Sequence, residues 1–282
     1  MIEHSMPAKS AAQPNKDLEL LRSAAVSAGV LALGYFRRDI TNWTKGNHSP
    51  VSDADIAVDE FLQNALLAAR PDYGWLSEET EDGPARLTAK KTFIVDPIDG
   101  TRAFLKGEDC WAISIAIVEK GRPVCGVVYA PARDEMYYAA TGQGAFFNRA
   151  PLLRPVRSDG TPILSAPTAV LNELRDEGVE FRRGPAYPSL AYRLVQVARG
   201  ACDAAVARRG AEDWDIAAAS VILGESGVSF EDVCAGPPVF NKADSRHAAL
   251  AAVALEQLRT NIHNALRRVY GCPGNPPNQP QG

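Results

Sequence analysis

The chain has 282 residues, of which 46% are hydrophobic and 23% charged, with a formal net charge of −4. This is ordinary globular composition, enough for one large layered domain or two tightly joined halves around a buried core. A mildly acidic balance gives no general attraction to a nucleic acid polymer or an anionic membrane, so an anionic ligand needs a local positive site made by basic side chains or metal ions.

Residues 1–16 lack an apolar core behind a positive start, which argues against a secretory signal and predicts a disordered tail. From Asp17 to Arg38, Leu18, Leu21, Ala25, Ala28, Ala32 and Phe36 recur at helical spacing. The uncharged stretch Ser23 to Phe36 inside it is too short to span a bilayer, so a cytoplasmic protein with no membrane partner is expected. A second helix is predicted from Asp53 to Ala69, with Ile56, Val58, Phe61, Leu62, Ala65 and Leu66 on its buried side and Pro71 ending it. The period then changes. Lys91 to Asp96, Trp111 to Glu119, Pro123 to Ala130 and Glu135 to Ala140 read as strands, with a turn at Gly142 to Ala145. Residues 17–150 thus form an α+β half, helices followed by an antiparallel meander.

Residues 151–270 alternate differently. Pro162 to Ala166 and Ala204 to Ala207 read as strands, and Leu190 to Arg199 and Asp215 to Ser226 as helices. Ala248 to Leu255 precedes a closing helix extending to Val269. This is an α/β half, and the join falls near Pro151 to Pro155. Residues 271–282 are rich in Pro, Gly and Asn and predict a flexible tail. The five cysteines, Cys110, Cys125, Cys202, Cys234 and Cys272, are odd in number and show no metal-site spacing, so reduced thiols are expected.

Four segments carry candidate chemistry. In Asp96-Pro97-Ile98-Asp99-Gly100-Thr101 an apolar strand ends on two carboxylates with the Ile98 carbonyl between them, a hard oxygen cage of the kind magnesium prefers. The amides of Gly100 and Thr101, at the start of a following helix, suit a phosphate oxygen. The bland alternative is a solvated Asx turn. Leu76-Ser77-Glu78-Glu79-Thr80 places paired glutamates after an apolar strand, though such pairs are usually surface residues. Asp215 opens an Ala-rich helix and has an equally simple reading as a cap. Pro50-Val51-Ser52-Asp53-Ala54-Asp55, with Lys45 upstream, can likewise be read as a helix start.

Together VSDAD, LSEET, IVDPIDGT and WDIAAA resemble the inositol monophosphatase family, which includes the 3′(2′),5′-bisphosphate nucleotidases, over residues 17 to 255. The resemblance implies a layered α-β-α-β-α sandwich, two or three magnesium ions, a homodimer and lithium sensitivity. It assigns Glu78, Asp96 and the Ile98 carbonyl to a first ion, Asp96, Asp99 and Asp215 to a second, and Glu78 also to a third. It makes Thr101 the water-orienting hydroxyl and Asp55 the carboxylate that polarises it. A divalent ion lowers the pKa of water, so no protein nucleophile is required. The substrate is a small phosphorylated metabolite, with Asp99, Gly100, Thr101 and Lys45 beside it.

Two features depart from the family pattern. Glu225-Ser226-Gly227-Val228 stands where two consecutive glycines are frequent. Seven residues before Asp215, where inositol phosphatases commonly carry an acid, this chain has Arg208, which favours a second anionic group over a polyol, the bland alternative being an exposed side chain with no role. Adenosine 3′,5′-bisphosphate is therefore the expected substrate, and inositol 1-phosphate or another sugar phosphate the alternative. The acidic pair is spaced by two residues rather than one, which argues against an aspartyl-phosphate route like that of haloacid-dehalogenase phosphatases. The intact set Glu78, Asp96, Asp99, Thr101 and Asp215 argues against a catalytically weak binding or regulatory protein.

Overall fold

The computed structural model describes residues 15–46, 49–153 and 160–272. Helix α1 (Lys16–Tyr35) is followed by a short hairpin, β1 (Asn42–Thr44) and β2 (Pro50–Ser52), and by helix α2 (Asp53–Ala69). Next come β3 (Gly74–Ser77), β4 (Lys91–Asp99), the short helix α3 (Thr101–Leu105), β5 (Ala112–Glu119), β6 (Arg122–Ala130), β7 (Glu135–Ala140), β8 (Ala145–Phe147) and β9 (Ala150–Pro151). Strands β3 to β9 make one seven-stranded sheet in sequence order. Its pairs are antiparallel from β4 onward, while β3 lies parallel to β4.

The chain then builds β10 (Ile163–Ser165), α4 (Thr168–Asp176), β11 (Arg182–Arg183), α5 (Leu190–Arg199), β12 (Ala204–Ala207), α6 (Asp213–Glu225), β13 (Ser229–Asp232), β14 (Leu250–Val253) and α7 (Glu256–Tyr270). These five strands form a second, mixed sheet in the order β11-β10-β12-β14-β13.

Strand alternation decides the layering, because successive side chains point to opposite faces. On β5, Ile113, Ile115 and Ile117 enter a core shared with Leu21, Ala25 and Ala28 of α1 and Val58 and Leu62 of α2. Ala112, Ala116 and Val118 face the other way, into a core shared with α5 and α6. That second face is lined by small residues, and the Ala-rich helix α6 comes in very close. A Cβ on Gly126 of β6 would lie 2.8 Å from the Ala218 Cα. The opposite side of the α5/α6 layer covers Ala205 of β12 and Ala252 of β14. The far face of that sheet, with Val206 and Ala251, packs on Val170 and Leu174 of α4 and Ile262 and Leu266 of α7. The order is α1/α2, sheet, α5/α6, sheet, α4/α7, the α-β-α-β-α sandwich.

Several expectations are corrected. The first helix ends at Tyr35, because Arg37 takes a left-handed backbone. By length and mean hydropathy α1 is able to cross a bilayer. Here one side of it, from Leu18 to Ala32, is buried in the protein core instead. The cysteines are not all thiols: Cys234 and Cys272, 38 residues apart in sequence, are joined in a disulfide that ties the end of α7 to the loop after β13. Sequence spacing could not reveal this pair, because only the packing of α7 brings the two Cα atoms to 5.5 Å. Helix α4, strand β13 and the β1–β2 hairpin were not predicted. The expected tails lie mostly outside the described residues. Of them, Asn15 caps α1 and accepts from the amides of Asp17 and Leu18, and Cys272 holds the disulfide.

Candidate active site

Strand β4 runs buried through Phe93, Ile94 and Val95 and then breaks register. Asp96 pairs with Ser114 and Asp99 with Ala112, so β4 holds one residue more than its partner over this span. The bulge re-aims the backbone at the sheet's end, as bulges beside active sites do. Gly100 follows with φ +97°, and a Cβ there would press on the Cys110 carbonyl and the Ser189 backbone at 3.3 Å. Only glycine suits both constraints.

The three carboxylates of Asp96, Asp99 and Asp215 converge, each offering an oxygen within 4.8 Å of the others. Glu78, Gly100 and Thr101 line the same cleft, with Ser49, Pro50, Arg102 and Pro188 completing its wall. Its volume, about 430 Å³, suits a small metabolite.

Each carboxylate is fixed by backbone donors. Asp96 Oδ1 accepts from the Ile98 amide at 3.0 Å. Asp99 lies at the N-terminus of α5, accepting from Ser189 Oγ at 2.5 Å and from the amides of Leu190 and Ala191 at 3.1 and 2.6 Å. Asp215 Oδ2 accepts from the Glu212 amide at 2.8 Å, the capping bond of α6. Asp215 thus closes the capping box of α6 and also lines the cleft. Ser114 Oγ donates to the Trp214 carbonyl and ties this turn to the sheet.

Behind the cleft wall, Thr101 Oγ1 lies 3.1 Å from Asp55 Oδ1 and 3.2 Å from the Ile98 carbonyl. Asp55 also closes the start of α2, accepting from the amide and hydroxyl of Ser52 at 2.8 and 2.6 Å. Lys45 turns to the glutamates. Its Nζ lies 2.6 Å from Glu79 and 3.6 Å from Glu78, and donates to the Glu78 carbonyl at 3.2 Å. Arg208 stands exposed beyond the end of β12 and is not part of the cleft lining. Arg102, one residue after Thr101, does line it. Sequence reasoning missed Ser189 and the α5 N-terminus. Ser189 carried an N-cap signal, but nothing local could link it to Asp99, 90 positions earlier.

The electrostatics fit a divalent cation. Burial pushes the carboxyls of Asp96 and Asp215 well above the usual range, and repulsion from neighbouring acids adds to it. Asp99 is raised by burial as well, against the pull of its Ser189, Ala191 and Leu190 donors. Burial takes Glu78 up to about 7 despite the nearby Lys45 charge. Crowded buried carboxylates of this kind are costly unless a cation neutralises them. The donor set is all oxygen, which suits magnesium rather than a softer metal.

Comparison with known proteins gives the family. A sequence profile described as the inositol monophosphatase family matches residues 14–268. An inositol-1-monophosphatase of Mesorhizobium japonicum (strain LMG 29417 / CECT 9101 / MAFF 303099) is 36% identical over 68% of this chain and 75% of its own length. The 3′(2′),5′-bisphosphate nucleotidase CysQ of Aggregatibacter actinomycetemcomitans is 28% identical over 78% of this chain and 86% of its own. Among solved structures, the extragenic suppressor protein suhB of Bartonella henselae superposes with a TM-score of 0.79 at 30% identity, covering 90% of this chain and 99% of that one. The chain belongs to the inositol monophosphatase family of metal-dependent phosphatases.

Proposed function

We propose that the protein is a magnesium-dependent phosphomonoesterase with a preference for 3′(2′),5′-bisphosphate nucleotides, converting adenosine 3′,5′-bisphosphate to AMP. The observation that carries the reading is the meeting of Asp96, Asp99 and Asp215 within 4.8 Å on a cleft shared with Glu78 and Thr101. In this reading Glu78, Asp96 and the Ile98 carbonyl would hold one ion, Asp96, Asp99 and Asp215 a second, and Glu78 would help to hold a third. Bound magnesium supplies Lewis acidity and makes water a competent nucleophile near neutral pH.

The chain's own residues do the rest. Thr101 donates its hydroxyl proton to Asp55, so the Thr101 oxygen keeps lone pairs to accept a hydrogen bond from water and aim it at phosphorus. The water oxygen bonds to phosphorus, the ester P–O bond breaks, and the departing oxygen takes up a proton. Asp55 does not leave its post, because Ser52 grips its second oxygen twice. Gly100 and Thr101 form the wall against the phosphoryl group.

The bisphosphate preference rests on charge. Arg102 is the one Arg or Lys among the described residues that line the cleft, and Arg208 stands where the family resemblance leads one to expect an acid in inositol phosphatases. With Arg208 outside the lining, Arg102 is the better placed reader of a second anionic group. The inositol 1-phosphate reading is the alternative. A homodimer, lithium inhibition and a cytoplasmic setting complete the proposal, although the Cys234–Cys272 disulfide is unusual for a reducing compartment. The deciding experiment compares kcat/KM for adenosine 3′,5′-bisphosphate and inositol 1-phosphate with magnesium. A preference for the inositol ester refutes the substrate assignment, and no phosphate release from any small monoester refutes the enzyme reading.

A further inference from the structure

The buried carboxylate of Asp59 does not line the cleft and, among the described residues, has no cationic side chain at hydrogen-bonding distance. Asp59 is 5% exposed and lies on α2, four residues after Asp55. Its two oxygens accept from two hydroxyls that bracket the glutamate pair, Ser77 Oγ on one side and Thr80 Oγ1, at 2.5 Å, on the other. Thr80 Oγ1 in turn accepts from Trp75 Nε1 at 3.2 Å. The Glu79 amide points back at Ser77 Oγ at 3.4 Å. The 77–80 turn is therefore wrapped around the Asp59 carboxylate, while the Glu78 amide fixes the turn to β4 by donating to the Val95 carbonyl at 3.3 Å. With the turn held from both sides, the Glu78 side chain projects into the cleft.

Residues four apart on a helix share a face. Asp55 reaches Thr101 after β4, and Asp59 reaches the turn after β3. One face of α2 thus sets both strand ends against each other. We propose that Asp59 is a positioning residue for Glu78. It fixes the turn that presents Glu78 to a divalent cation, and it touches neither substrate nor cation itself. The inference rests on the phosphatase reading, which gives Glu78 its task. An uncompensated buried carboxylate is expensive, and packing alone is served as well by an apolar side chain at this position. Two charge-assisted hydrogen bonds, short and directional, give what an apolar side chain does not, which is a fixed turn geometry.

The test measures magnesium binding to the full chain by calorimetry at 25 °C, together with the magnesium concentration that half-saturates turnover. Asp59→Ala is expected to weaken magnesium binding by about 10- to 100-fold, as loss of an outer-shell partner does. Its half-saturating concentration should rise in parallel, with substrate KM at saturating magnesium within about twofold. Asp59→Asn should recover most of the affinity, because the amide accepts from one hydroxyl and donates to the other. Thr80→Val removes one donor at constant volume and should cost roughly 3- to 10-fold, so the inference stays testable if Asp59→Ala fails to fold. A purely structural residue lowers the melting temperature and leaves magnesium affinity alone. Wild-type affinity in folded Asp59→Ala, or in Thr80→Val, overturns the inference while leaving the phosphatase reading intact. Wild-type protein that binds no magnesium overturns both.

Discussion

Replacing Asp96 with asparagine should stabilise the metal-free protein while abolishing turnover. Asp96 is 1% exposed, and the one hydrogen bond described for its carboxylate, from the Ile98 amide to Oδ1, is kept by the amide oxygen of asparagine. The negative charge is what disappears. With oxygens of Asp99 and Asp215 within 4.8 Å, each fully ionised pair costs up to about 3.5 kcal/mol at an effective dielectric of about 20. Part of that repulsion is already relieved by protonation, since burial and the neighbouring acids raise the Asp96 pKa. A net gain of about 2 kcal/mol at pH 8 is expected, or roughly 4 to 8 °C in Tm. Asp99→Asn should not share this gain. Its new NH2 group would meet a donor whichever way it turned, the Leu190 amide on one side or Ser189 Oγ and the Ala191 amide on the other, and losing a charged acceptor costs about 1.5–3 kcal/mol. The assay is thermal melting at pH 8 in chelator and again in excess magnesium. In magnesium the order should reverse, because a cation that binds only the folded state stabilises it by an amount that grows with the logarithm of its affinity. Asp96→Asn melting at or below wild type in chelator, or gaining as much as wild type from magnesium, refutes the reasoning.

Three further outcomes follow from the same structure. Glu78 is held at about 7, above its ordinary 4.5, so folding favours its protonated form. That contribution, about 3 kcal/mol at most, is complete below pH 4.5 and is lost as pH rises through 7. Metal-free protein should therefore melt lower at pH 8 than at pH 5.5, and magnesium should flatten the dependence; a rise in metal-free Tm over that interval contradicts the assignment. Cys234→Ser opens a bridge spanning 38 residues and should cost about 4 kcal/mol on the chain-entropy estimate. Because the bridge ties α7 to the loop after β13, kcat at 25 °C should be unchanged, and a kinetic effect would show that it reaches the cleft. Gly126→Ala sets a methyl group 2.8 Å from the Ala218 Cα and should destabilise by about 1–3 kcal/mol, with a lowered denaturant midpoint as the readout.

Much of the site was legible because its chemistry is local in sequence. The hexapeptide from Asp96 to Thr101 holds a strand end, a bulge, a left-handed glycine and a helix start, and each has a residue signature. Glu78, just past an apolar strand, gave only a weak signal by itself, and its role was read from the family resemblance. The α-β-α-β-α order came from the family resemblance; alternation alone showed a meander and a mixed second half. What stayed hidden depends on pairings between distant segments. Ser189 meets Asp99 only because α5 abuts the end of β4, and Cys234 meets Cys272 only because α7 folds back. For Arg208, counting back from Asp215 left two readings, a contact to a second anionic group and an exposed side chain without a role, and the structure shows the side chain exposed and outside the cleft lining. Asp59 carries no local signature in the sequence, and only its two hydroxyl partners set it apart.

The cleft draws its acids from separate layers. Asp96 lies toward the end of a strand of the larger sheet, and Asp215 in the first turn of a helix of the central layer. A cation gripped by both is a removable rivet between parts of the chain that share no covalent bond nearby. Its capture would fasten the sandwich at one edge, so mechanical rigidity and catalytic readiness would arrive together and be surrendered together on chelation.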